Sequence, residues 1–186
     1  MKLCVVFGIV GCVALAVAQE HPHPPMVPPA GPGVFMVKPS GPNTFKLVVA
    51  GHTFTSRSEI EKYLAYRAAR HTVEQGGTWF TLKEDRGKVE TAVPVPARDP
   101  EGQRYSFRMK YFRPVWRYKT SGSTAWTRWS PFSGEPFISA DPKTITDFEV
   151  SAEIVVRKGP MDDADPLAYE AWALSDLLVN QVSPPK

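Results

Sequence analysis

Apolar residues occupy alternate positions at Phe148, Val150, Ala152, Ile154 and Val156, with Glu149, Ser151, Glu153 and Arg157 on the opposite side. That two-residue period predicts a strand with one buried face. Residues 45–50 are rich in β-branched and aromatic side chains and stop at Gly51, and residues 79–82 repeat the signal in a shorter run. Alternation also runs through residues 104–112, and a short candidate strand surrounds 126–129. Between the first two strands the period becomes helical. Ser56-x-x-Glu59 is a capping box and Gly76-Gly77 a stop. At about 100° per residue, Ile60, Leu64 and Ala68 form one stripe and Tyr66, Ala69 and Val73 another, so this helix is expected to be covered on two sides. A second helix is expected where Asp165 caps and Pro166 enters the first turn, with Leu167, Ala171, Leu174 and Leu178 on one face. This order predicts a single α+β domain over residues 44–183, with a largely antiparallel sheet and two helices packed on it.

The N-terminal residues carry a different pattern. Met1 and Lys2 precede an uncharged apolar run over 3–17, and Ala16-Val17-Ala18 is a small-x-small cleavage site, so residues 1–18 read as a secretory signal peptide. The run is shorter than the roughly 18 to 20 apolar residues that span a bilayer, so no transmembrane segment is expected in the mature chain. Both cysteines, Cys4 and Cys12, fall inside this segment, which leaves the mature chain no thiol for a disulfide, a zinc-thiolate site or a nucleophile. Ile9-Val10-Gly11-Cys12 also has the form of a lipobox, and lipid anchoring through Cys12 is the alternative to soluble export. Residues 19–43 hold eight prolines and three glycines and read as an extended, flexible linker.

Two separated blocks carry a family resemblance. Thr55-Ser-Arg57, Glu61, Tyr63-Leu64, Tyr66-Arg-Ala-Ala69, Thr72, Gly76 and Trp79-Phe80 form the first; Ser151-Ala-Glu-Ile154, Lys158-Gly-Pro160 and Ala168-Tyr169 form the second. Together they resemble a family of bacterial cell-envelope lipoproteins without an assigned activity. The resemblance implies an envelope location and a noncatalytic or unknown role, and supplies no substrate. Members of that family are usually lipidated, whereas this chain carries the longer signal.

No residue stands out as catalytic or as a metal ligand, and no cofactor is expected. His52 and His71 belong to no metal motif, and no Gly-x-Ser-x-Gly elbow marks a nucleophile. Residues 104–132 combine seven Arg and Lys with no acidic residue, interleaved with aromatics. Within them Tyr111, Arg113, Trp116, Arg117, Tyr118, Trp126, Arg128 and Trp129 are the candidate ligand-binding residues. Stacking plus positive charge serves nucleic acids. Export argues against nucleic acid and favours an envelope glycan, a lipid headgroup or a protein partner. The competing reading is that alternation sends about half of these aromatics into the core. An enzyme acting on cell-wall polymer or lipid would have to draw on Glu149, Glu153 or His71. Arg67, between Ile60 and Leu64, either snorkels or pairs with Glu153 in a structural ion pair.

Overall fold

The computed structural model describes residues 34–52, 56–83, 108–129 and 145–184. The chain order is β1 (Val34–Gly41), β2 (Thr44–Gly51), α1 (Arg57–Glu74), β3 (Trp79–Leu82), β4 (Val115–Thr120), β5 (Thr127–Trp129), β6 (Ile145–Arg157), β7 (Ala168–Glu170) and α2 (Ala171–Leu178). Every strand pairing is antiparallel, and the two helices complete an α+β domain. The signal segment and residues 19–33 of the expected linker lie outside the described residues.

The long strand β6 organises the sheet. Along one edge it pairs with β2, from Thr44↔Val155 to Gly51↔Phe148. Its other edge is shared: β4 occupies Ile145 to Ser151 and β3 occupies Ile154 to Arg157. β1 flanks β2, β5 flanks β4 and β7 flanks β3. The alternation along β6 directs Phe148, Val150, Ala152, Ile154 and Val156 toward the helices, where each is at most 7% exposed. Leu47, Val49, Phe80, Leu82 and Trp116 join them from neighbouring strands. Glu149, Ser151 and Glu153 point to the second face of the sheet, as their spacing requires.

α1 begins where the sequence predicts. Ser56 has extended backbone, and its side chain accepts the Glu59 N–H at 3.1 Å. The helix is covered on two sides, by the sheet and by α2. It ends before Gly76, whose φ of 67° is a conformation in which a side chain is strained. Gly77 has a separate reason: a Cβ there would lie 2.5 Å from Val156 Cγ1, so a side chain would force the helix end away from β6.

Three expectations change. Residues 34–41 of the Pro-rich segment form β1, which pairs with β2 from Val34↔Ala50 to Gly41↔Thr44. Proline is tolerated there because an edge strand has one side without ladder bonds. Asn43, at φ 52°, closes the hairpin. The alternation through 104–112 yields no strand in its described part: Tyr111 N–H and Phe112 N–H donate back to Arg108 and Met109 carbonyls, making a helical turn. The C-terminal helix starts at Ala171, capped by Glu170 rather than Asp165. Asp165 instead accepts the Leu167 N–H at 2.9 Å, and the following residues are drawn into β7 against β3.

Candidate binding surface

The eight candidate ligand-binding residues divide by burial, and within the β4–β5 hairpin the pleat sets the division. Trp116 is 1% exposed and belongs to the core, packed edge-on against Trp129 with ring centroids 5.3 Å apart. Its Nε1 donates to Glu61 Oε1 at 3.2 Å, tying β4 to α1. Tyr118 is also buried, and Tyr111 and Trp129 pack against the core. These four aromatics are therefore mainly structural, and their rings face the core rather than a ligand. Arg113, Arg117, Trp126 and Arg128 remain.

On the second face, Trp126 is 37% exposed, with the Arg117 guanidinium 4.6 Å and the Lys119 ammonium 4.7 Å from its ring centre. Both distances are within the range of cation–π attraction. Arg117 also donates to Glu149 at 2.5 Å, which fixes it from the β6 side. On its other side Arg117 lies directly opposite Arg128. Like charges placed so are unfavourable neighbours. Glu149 offsets Arg117, while Arg128 is exposed and has no ion-pair partner among the described residues. The hairpin thus presents a held indole beside a guanidinium that has no ion pair among the described residues.

A second feature lies where β3 ends and β4 begins. Both strands run along the same edge of β6, and Ala152 and Glu153 sit at the break between them. A recess of about 240 Å³ opens there, with Leu82, Val115 and Ala152 as its apolar wall and Lys46, Lys83, Arg113, Ser151 and Glu153 as its polar lining. Glu153 accepts from Ser40 at 2.6 Å and from Lys83 at 3.0 Å. The Ser40 hydrogen bond, followed by that from Lys83, holds its carboxyl below the usual range. Ser40 reaches it from the register shift between Pro39 and Gly41, an irregularity that re-aims a side chain.

Glu153 therefore does not pair with Arg67. The two lie on opposite faces of the sheet, and Arg67 places its guanidinium 3.9 Å from the Phe35 ring centre on the helix side. Its Nε is buried without a hydrogen bond, so the stem and ring contact replace the expected ion pair. His71, one turn on, packs edge-on against Phe45 at 4.6 Å. Burial lowers its pKa, with Glu74 acting in the opposite sense.

Arg108, in the basic run of the sequence, is fully buried. Its guanidinium donates to the carbonyls of Asp163, Asp165 and Ala168, and its own carbonyl accepts from the Tyr169 hydroxyl at 3.0 Å. It clamps the turn before β4 to the loop before β7. Glu61 is the other charged residue with an unexpected setting. Burial pushes its carboxyl up to about 7, against the opposing pull of Arg57 and the Trp116 hydrogen bond.

Among the described residues no cluster of three or more His, Cys, Asp and Glu side chains is arranged to hold a metal ion. No described helix is long and apolar enough to cross a membrane. Comparison with family models, curated proteins and solved structures finds no match to this chain.

Proposed function

We propose that this is an exported, noncatalytic protein of the cell envelope that binds an envelope component through the β4–β5 hairpin. The observation that carries the reading is Trp126, an exposed indole steadied by Arg117 and Lys119 with Arg128 alongside. An aromatic face that is already held in place loses little side-chain freedom when a ring or a headgroup settles on it. The adjoining positive charge selects anionic or electron-rich partners. The signal segment and the two motif blocks supply the envelope location in this reading.

The hydrolase alternative is less well supported by the geometry. Glu149 and Glu153 are four residues apart on one strand, about 13 Å at ~3.3 Å per residue. Glycosidase carboxylates stand roughly 5 to 9.5 Å apart across a shared cleft. Each of these glutamates is also engaged by a cation, Arg117 or Lys83, and His71 packs on the helix side. The test is cosedimentation of the mature protein with isolated envelope fractions. Trp126→Ala and Arg128→Gln should each lower the bound fraction several-fold with the thermal midpoint unchanged. Equal binding by all three proteins would remove the hairpin from consideration.

A further inference from the structure

The large apolar side chains exposed among the described residues all lie on the second face of the sheet: Val34 at 54%, Val115 at 46% and Trp126 at 37% exposure. The register puts them there, since Val34 stands opposite Ala50, Val115 opposite Ser151, and Trp126 against Arg117 and Lys119. Both helices pack on the other face. Single exposed apolar groups are ordinary, but the strand pairings align these. Met36, Val48, Ser151 and Val115 form one row across β1, β2, β6 and β4, and Val34 and Ala50 begin the next. The result is a largely apolar band that crosses four strands, about 14 Å at ~4.8 Å per strand.

Positive charge borders this band on both sides. Toward one end of the strands Lys38 and Lys46 stand directly opposite each other; toward the other, Lys119 and Arg128 stand beside Trp126. The carboxylates of this region are each engaged, Glu153 by Lys83, Glu149 by Arg117 and Asp147 by His52. Lys38, Lys46, Lys119 and Arg128 have no ion pair among the described residues, although Lys46 adds to the field that holds the Glu153 carboxyl down. Like charges directly across a strand pair are unfavourable, and an anionic partner lying over Lys38 and Lys46 offsets that repulsion.

We propose that this face of the sheet docks on an anionic lipid surface, with Val34, Val115 and Trp126 entering the interfacial layer and the four cations lying among the headgroups. The proposal rests on the hairpin reading and extends it, because it names the envelope component and carries the surface from β5 across to β1. Interfacial attachment strengthens with buried apolar area and with attraction to anionic headgroups together, and indole rings favour the headgroup level. A hydrated polyanion would meet the cations and the indole but gain nothing from Val34 and Val115.

Cosedimentation of the mature protein with unilamellar vesicles tests this. Vesicles of phosphatidylglycerol in phosphatidylcholine should bind it at low ionic strength and release it as salt rises, and pure phosphatidylcholine should bind at least about tenfold more weakly. A cation near such a surface is worth roughly fivefold in binding, so Lys38→Gln and Lys46→Gln, both outside the hairpin, should each weaken it about three- to fivefold with unfolding midpoints preserved or raised. Val34→Ser and Val115→Ser should each weaken it several-fold. Polyglutamate serves as a lipid-free polyanion. Binding to it as tight as to the vesicles and indifferent to both valine variants would overturn the lipid assignment, as would vesicle binding that ignores both lysine variants. Trp126-dependent binding to envelope fractions without binding to vesicles would also overturn it, while leaving the hairpin reading in place with a glycan or protein partner. Loss of binding to both would remove the two readings together.

Discussion

Single side chains decide how this sheet is joined to its helices, and Glu61 is the one whose charge is in question. Its Oε1 receives both Trp116 Nε1 and Arg57 Nε at 3.2 Å, yet burial dominates and raises its pKa from 4.5 to about 7. A carboxyl whose folded pKa exceeds its unfolded value favours folding in its protonated form. Below about 4.5 both states are protonated and no penalty arises; between there and about 7 the unfolded chain ionises first and stability falls; above that the loss is constant. Glu61→Gln keeps an acceptor for Trp116 without the charge. It should remove that slope and raise stability at pH 8 by about 2 kcal/mol. Chemical denaturation from pH 4 to pH 8 measures both effects, and parallel curves for the two proteins would show that Glu61 ionises normally. Arg108 is the converse case, a buried cation that donates to three carbonyls and stands 3.9 Å from the Asp163 carboxylate. Arg108→Met removes a donor from each of these three carbonyls and should cost about 3 kcal/mol or more in denaturant unfolding.

At the scale of elements, α2 is short and depends on packing rather than on propensity. Leu174 and Leu178 are at most 2% exposed, so Leu174→Ala should lower the unfolding free energy by about 2 to 4 kcal/mol. A loss below about 0.5 kcal/mol would mean that this face of α2 is not buried. The strongly periodic elements were legible in the sequence: α1 from its capping box and glycine stop, β6 from its alternation, β2 and β3 from their composition. β1 was not, because Pro39, Gly41 and Pro42 match a linker unless the strand is known to lie at an edge with a turn after it. The sequence pattern starts α2 too early because Asp165-Pro166 is an equally good turn signal, and the open edge of β3 draws the next residues into β7. The hairpin was legible as an aromatic and basic run, but the choice between Trp116 and Trp126 required the pleat. The recess left no local signal, since Lys46, Lys83, Arg113 and Glu153 come from four separate parts of the chain and meet only where two strands share one edge of β6.

For the whole molecule, the boundary of the folded unit is set by β1. Phe35 and Val37 pack on the core from this strand, Phe35 supplies the ring under Arg67, and Ser40 holds Glu153 at the recess. A chain beginning at Val34 retains all three connections, whereas one beginning at Asn43 loses them together. The second chain exposes apolar surface on β2 and leaves the Arg67 guanidinium without the ring it stacks on, at a combined cost of roughly 2 to 4 kcal/mol. It also makes β2 an uncovered edge rich in Leu47, Val48 and Val49, a template for pairing with another chain. The expected outcome is a single cooperative unfolding transition for the Val34 chain. The Asn43 chain should unfold at lower denaturant and self-associate in concentration-dependent sedimentation. Loss of Ser40 removes the strongest influence holding the Glu153 carboxyl down, so its titration should move upward in the shorter chain, a shift read by carboxyl-carbon NMR at a residue far in sequence from the deletion. Identical stability and an unmoved Glu153 would show that residues 34–41 are dispensable and return the domain boundary to residue 44.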